Sequence, residues 1–551
     1  MSSENPSASD NHGEISNAVE DGVSASSHNA AASADLQASN HTGKEKREEQ
    51  SPQEDHVRTS GQMGEGASPA GDVPYCVLPE GEKIFLMIVC SIAGMISPMS
   101  SSIYFPALNN IGKDLDVSTT LMNLTITTYL IFQGIAPSFI ASFSDAHGRR
   151  PAYLICFTIY LAANIGLALQ DSYAALIVLR CLQSSGSSGT IALGSAAVSD
   201  LSTRSERGKY IGYATMAVTL GPALGPVIGG LIDHFLGWRW IFWFLVILAG
   251  AYATLIAVFY PETCRAVVGN GSVPSAKWNL SGWQIISNTF RRGRAPAKEP
   301  NYESVQKRRR GVNPFASAMI ATEKESALIL IYGSLLYCGN MAVLSTLTSE
   351  LQTRYGFNSI QIGLCYLPMG CGSMTSRLTV GRLLDWNFKR EAARQGMPIV
   401  KNRQQEIEKF NIEVARLAVT IPFVYGGALF LVAYGWVMQY RTSLAGPLVV
   451  LFFMSHFTTG AFSSLNTLIV DTHRESPATA VAANNLWRCL TAAGAVAAAS
   501  PLIERIGIGW TASFIALLWL VFSPLLWAVY RWGYGWRENL RRKREAICLG
   551  A

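Results

Sequence analysis

The chain has 551 residues, of which 49% are hydrophobic and only 15% charged, with 48 Gly, 13 Trp and a formal net charge of +6. Soluble chains average roughly 25% charged residues, so this one lacks the polar surface of a water-soluble globule and is not an ordinary soluble enzyme. The apolar residues fall in repeated runs of about 20, long enough to cross a bilayer core as helices, and the expected fold class is an all-α membrane protein.

Residues 1–80 carry fourteen Asp or Glu against four Lys or Arg, a local charge of about −10, and are rich in Ser, Ala, Asn and Gly. Such a segment buries too little apolar surface to offset its ordering entropy, so a disordered acidic tail is expected. It has no basic start followed by an apolar stretch, so no cleavable signal peptide is expected and the first apolar helix directs insertion. Apolar runs then predict spans at roughly 83–105, 120–141, 151–169, 173–200, 208–232 and 238–260, followed by spans at 324–349, 358–384, 414–437, 445–471, 477–505 and 508–531. These are twelve transmembrane helices in two six-helix bundles, 83–260 and 324–531, joined by a basic linker at 261–323 and followed by a basic tail at 532–551. Ten cysteines show neither paired spacing nor CxxC geometry and read as small packing residues; no metal site is expected.

Lys and Arg in short loops mark the cytoplasmic side. Arg149 and Arg150, Arg204, Arg207 and Lys209, both long basic loops, Arg474 and the Arg537–Arg544 tail share one side. Both termini are therefore expected in the cytoplasm of a multi-pass protein.

The two halves repeat. After the second span the chain reads Ala141-Ser-Phe-Ser-Asp145-Ala-His-Gly148-Arg149-Arg150, and after the eighth Gly381-Arg-Leu-Leu-Asp385-Trp-Asn-Phe-Lys389-Arg390; the fourth span ends at Asp200 and the tenth at Asp471. Two such repeats imply two bundles around a central site. An Asp near a helix end, a Gly for a sharp turn and two cations form a candidate conformational gate, Asp145, Gly148, Arg149, Arg150 and Asp385, able to pair across the bundle interface in one conformer and release in the other. In the fifth span, Gly221, Gly225 and Gly229, with Gly230, allow close helix approach, while Pro222 and Pro226 free backbone carbonyls, so a hinge or packing face is expected there.

Asp145-x-x-Gly148-Arg149-Arg150, Arg180-x-x-Gln183 and the Gly221 to Gly230 segment resemble three signatures of the major facilitator superfamily, the last resembling that of its drug:proton antiporters. Pro98 with Tyr104-Phe105-Pro106 resembles the twelve-span fungal branch, and Arg531-Trp-Gly-Tyr-Gly-Trp-Arg537 resembles the end of fungal citrate exporters and quinidine-resistance-type pumps. Ala141 and Ser184 stand where those signatures usually have glycine. The resemblance covers about residues 83–546. It implies alternating-access export at the plasma membrane with proton antiport, a role for Arg180 in proton coupling, and Gln183 lining the cavity beside it.

Ionisable groups inside spans are costly and functional by default. Arg180, Arg377, Arg488 and His456 lie within spans, whereas every Asp and Glu of the spanning region sits near a span end. Arginines bind carboxylates with paired hydrogen bonds, so an organic acid or secondary metabolite is the expected small-molecule substrate, with Asn340, Tyr104, Tyr129 and Tyr337 as further lining residues. Arg377 also suits snorkelling to the interface, and His456 also suits packing. Arginine does not titrate usefully, so a coupling proton has His456, a substrate carboxylate or Asp145 to choose from. A multidrug or polyamine-like cation pump, and a non-transporting receptor on the same fold, stay open at this point. No phosphate loop is present, no cofactor is expected, and the basic run Lys307–Arg310 reads as topology and attraction to membrane lipid rather than as a nucleic-acid site. One chain contains both bundles, so a monomer is expected to suffice.

Overall fold

The computed structural model describes residues 75–202, 210, 213–214, 217–218, 220–276, 279–290, 316–396, 410–473 and 477–549, all within one compact unit, Asp72–Ala551. Among the described residues the regular structure is helical throughout. The first half contains α1 (Glu80–Ser102), α2 (Leu108–Asp114), α3 (Thr119–His147), α4 (Arg149–Leu169), α5 (Tyr173–Leu201), α6 (Gly221–Leu236) and α7 (Arg239–Phe259). Three short helices follow: α8 (Arg265–Val268), α9 (Gly282–Phe290) and α10 (Ala316–Met319). The second half contains α11 (Lys324–Tyr355), α12 (Ser359–Cys365), α13 (Leu367–Arg394), α14 (Ile412–Gln439), α15 (Ala445–Thr472), α16 (Pro477–Val521) and α17 (Pro524–Leu549). Gly507, at φ 81°, breaks α16 into two spans.

A helix therefore stands at each of the twelve predicted spans. Among the described residues eight stretches are long and apolar enough to cross a membrane, one of which, Thr479–Lys543, holds the last two spans. The fourth, fifth and eighth spans are not among them. α5 carries Ser184, Ser185, Ser187 and Ser188, α13 carries Arg377, Arg382 and Asp385, and most of the first part of the fifth span lies outside the described residues. Neighbouring helices cover all three: α5 packs on α1, α3 and α4, and α6 packs on α12 and α13. The internal repeat is visible in the packing. α3 on α5, α5 on α4 and α4 on α7 in the first half match α13 on α15, α15 on α14 and α14 on the second span of α16.

The acidic tail expected at 1–80 lies outside the described residues except for its last six, and these are packed against the first half. Tyr75 donates to the Ser199 carbonyl at 3.2 Å and lies under the Arg265 guanidinium, 3.6 Å from its ring centre. The basic runs Arg291 to Arg294 and Lys307 to Arg310 lie outside the described residues, as do 397–409 of the second basic loop and most of 203–219, where the fifth span was expected to begin.

α3 and α16, together with α6 and α12–α13, form the contact between halves. Among the described residues, the hydrogen bonds between halves lie from the middle of the spans to the end opposite Arg149, here called the far end. Ser359 donates to Asp233 at 2.5 Å and Asn110 donates to Ser359 Oγ at 3.2 Å; Asn109 bonds Gln352; Thr348 donates to the Phe105 carbonyl at 2.9 Å; Asn123 donates to Ser500 at 2.6 Å. The innermost of them joins Asn485 to the Gln133 carbonyl at 3.0 Å. Among the described residues none joins the halves at the basic end. The conformer is closed at the far end.

The turn between α3 and α4 is built around one carboxylate. Glu262, just past α7, accepts from the backbone N–H of Arg149 at 2.8 Å and of Arg150 at 3.2 Å, so it caps α4 from outside the helix. It also accepts from the N–H groups of Thr263 and Cys264 and from Asn279 Nδ2. Gly148 has φ 113°, and a Cβ there would overlap the Glu262 carboxylate. Glycine is thus required both by backbone conformation and by the anion lying against it.

The glycines of the fifth span serve two faces of α6. Gly221, Gly225 and Gly229 lie on α1 around Pro98, Ser102 and Ile103, while Gly230 and the Pro226 carbonyl lie on Ser359 and Gly363 of the other half. Pro222 sits in the first turn of α6, where a missing N–H costs nothing. The segment is a close-packing face on both sides.

Two outcomes follow for purified protein in detergent, read by thermal unfolding. Gly229→Ala, whose Cβ would overlap the Ile103 carbonyl, is expected to cost about 1–3 kcal/mol or more, whereas Gly250→Ala in α7, with its nearest neighbour 3.9 Å away, is tolerated or mildly stabilising. Glu262→Gln is expected to cost about 1–3 kcal/mol through weakened charge-assisted bonds, and Gly148→Ala to exceed it; equal stability of all four variants and the parent would refute the packing described.

Candidate functional site

At the basic end the first-half cation Arg149 is held inside its own half. Its guanidinium bonds Asp145, Asp200 at 2.8 Å and Ser144 at 2.7 Å. Arg150 donates to the Ala257 carbonyl at 2.9 Å. The expected pairing across the bundle interface is absent among the described residues in this conformer: Arg149 is held by α3 and α5, and Arg150 turns to the end of α7, its Nε buried without a partner. Asp385, the expected counterpart of Asp145, is exposed and makes no hydrogen bond or ion pair among the described residues, and Arg390 lies over Trp386. The second-half equivalent of the Arg149–Asp200 pair is instead Arg416–Asp471, at 2.9 Å, linking the start of α14 to the end of α15. Arg416 was missed because α13 continues through Lys389 and Arg390 to Arg394, so the cation that matches Arg149 comes only after the following loop. Asp471, already aligned with Asp200, was the available signal.

In the far-end half of α5, Arg180 is fully enclosed. Its guanidinium lies between the rings of Tyr104 and Tyr129, 4.2 and 4.3 Å from their centres, and Nη1 donates to Gln183 at 2.5 Å. Gln183 donates on to Asn164 at 2.7 Å, and Tyr104 and Tyr129 are held by Thr125 and Ser187. Arg180 Nε is buried with no partner. Each aromatic face contributes on the order of 2 kcal/mol to a desolvated cation, yet burying an unpaired ion costs several kcal/mol. The aromatic cage therefore tolerates the charge without neutralising it.

Arg488 occupies a more open place in the second half. It is half-buried, 4.7 Å from the Tyr337 ring centre and 5.7 Å from that of Phe462, and donates to Asn485 Oδ1 through Nη2 at 2.7 Å and Nε at 3.3 Å. Each arginine thus lies against tyrosine, Arg180 against Tyr104 and Tyr129 and Arg488 against Tyr337. Neither has a carboxylate partner among the described residues. Asn340, one turn from Tyr337 on α11, has a buried Oδ1 with no partner.

Of the remaining two predicted residues, His456 on α15 is bonded to Thr375 of α13 at 3.1 Å and stacked on Phe423 and Phe452. Arg377 is exposed on α13 without a partner among the described residues. A cavity of about 260 Å³ lies at the far end, lined by Asn109, Asn110, Asp233, Gln352 and Ser359, and was not foreseen because its residues come from four separate segments. Asp233 Oδ1 is buried there without a partner.

Residues 90–498 match the Major Facilitator Superfamily. The chain is 50% identical over 468 residues to the MFS-type transporter R5 of a Phoma species, covering 85% of this chain and 88% of that one. It is 37% identical over 488 residues to citrate exporter 1 of Aspergillus niger, covering 87% and 91%. Among solved structures it is similar to a D-xylose–proton symporter with a TM-score of 0.58 at 14% identity, covering 81% of this chain and 97% of that one, a likeness of fold. With residues 90–498 matching the family and a relative 50% identical over most of both chains, the chain belongs to the major facilitator superfamily and is a multi-pass membrane transporter of small molecules, not an enzyme.

Proposed function

We propose that this transporter exports an organic acid, or an acidic secondary metabolite, by alternating access as a secondary carrier in exchange for protons. The observation that carries the reading is the pair Arg180 and Arg488, both within spans and neither neutralised by a carboxylate among the described residues. A guanidinium in a dry setting gains most from an anion that brings its own charge and acceptors. A lipophilic cation would meet repulsion there. The relationship to a citrate exporter supports the same substrate class.

Arg488 is the first contact for substrate because it is the more exposed arginine, and Arg180 is reached when Tyr104 or Tyr129 moves. Gln183 and Asn340 supply neutral polar contacts, while His456 and Arg377 act outside the binding centre. The basic end faces the cytoplasm by its charge bias, which makes the present conformer the one that loads from inside. On this reading 1–80 and 532–551 are cytoplasmic tails, 261–323 is a cytoplasmic linker between bundles 83–260 and 324–531, and the protein works as a monomer in the plasma membrane. Asp145, Gly148, Arg149, Arg150 and Asp385 then act as the inner gate. Arg149 exchanges its present partners for contacts across the interface when the basic end closes.

The test is counterflow of labelled citrate, itaconate and a lipophilic cation in proteoliposomes, with and without an imposed pH gradient. Acid counterflow stimulated by the gradient is expected, and Arg488→Ala should raise its KM by roughly ten- to a hundredfold, the loss of a charged hydrogen bond. Counterflow of the cation alone would overturn the reading.

A further inference from the structure

Pro137 stands in the middle of α3. Proline has no backbone N–H, so the carbonyl four residues earlier loses its helical donor. That carbonyl belongs to Gln133, and it is the acceptor of Asn485 Nδ2 from the other half at 3.0 Å. The orphan made by proline in one bundle is thus satisfied by an amide of the other. In a membrane interior such a group has no water as substitute. The same amide faces the substrate centre, because its Oδ1 accepts from Nη2 and Nε of Arg488 at 2.7 and 3.3 Å. The guanidinium is all donor and the carbonyl all acceptor, so the amide has one orientation that satisfies both. Gly134 lets α16 approach closely at this point, with Leu486 and Cys489 against it.

We infer that Asn485 is a positioning residue that couples occupation of Arg488 to the far-end closure. This rests on the organic-anion reading for its ligand. With the site empty, Arg488 holds Asn485 Oδ1 and turns the amide onto the Gln133 carbonyl, fastening α16 to α3. An acid that takes the guanidinium donors releases Oδ1 and frees the amide to turn away from α3. The innermost bond between the halves then weakens, and the far end opens when substrate is bound. Pro137 is what makes the bond matter, since an α3 with an N–H at that position would satisfy Gln133 by itself.

The experiment reads far-end opening at Ile362→Cys, a position lining the far-end cavity and buried in the closed conformer, by maleimide labelling quantified on that peptide by mass spectrometry in proteoliposomes. In this parent, citrate or itaconate is expected to speed labelling. Adding Asn485→Leu should raise the ligand-free rate by about tenfold and abolish the acid response, while in counterflow its KM stays within about twofold and kcat falls by about tenfold. Pro137→Ala, which returns a donor to the Gln133 carbonyl, should raise the ligand-free rate too, and Asn485→Leu should then add little. Labelling rate and acid response both unchanged in Asn485→Leu, or full additivity of the two substitutions, would overturn the coupling. Should the parent respond to neither acid, the organic-anion reading falls, and the ligand-free contrast between Asn485→Leu and the parent still decides the bridge.

Discussion

Within a bilayer, a polar group that loses its partner has no solvent to fall back on, and much of this fold answers that constraint. Helices satisfy the backbone, and where sequence interrupts a helix another element steps in. Glu262 gathers the N–H groups that open α4, Asn485 covers the carbonyl bared by Pro137, and Asp200 and Asp471 each hold an arginine at the basic end. The same rule makes the exceptions informative. Arg180, caged between two tyrosines with its Nε unpaired, is a buried charge with no carboxylate beside it among the described residues.

The repeat organises these answers. Arg149–Asp200 and Arg416–Asp471 occupy equivalent joints in the two halves, so each bundle carries its own internal clasp at the basic end. The contacts between bundles are concentrated toward the far end and are made mostly of neutral amides and hydroxyls. Such bonds contribute little net free energy each, on the order of 1 kcal/mol. Rigid, charged joints inside each half and weak, neutral ones between halves suit two bodies that move against each other.

Much of this was legible in the sequence because periodic apolar runs and charge bias act locally. A helix stands at each of the twelve apolar runs, the serine-rich α5 included. The candidate site was legible as a list of residues and not as an arrangement. Arg180, Arg488, His456 and Arg377 all stood out as ionisable groups in apolar runs, and the structure sets the first two against tyrosines, His456 against Phe423 and Arg377 exposed on α13. A helical run does not say which face meets the centre, and side chains far apart in the chain, such as Gln133 and Asn485, are brought together only by bundle packing. Arg416 was hidden by a decoy: Lys389 and Arg390 match Arg149 and Arg150 in spacing but lie inside a longer helix.

The halves also differ in sign at one matching joint. After the sixth span the first half places a carboxylate, Glu262, at the start of α4; after the twelfth span the second half places a guanidinium, Arg537, on the buried Glu413 at the start of α14, at 2.7 Å. The last helix is therefore no loose tail, since without it Glu413 would be a buried charge lacking this guanidinium. Nor are the two post-span segments interchangeable despite the repeat. Grafting the first onto the second half would bring carboxylate against carboxylate, so the duplicated halves have diverged into parts that each fit only their own bundle.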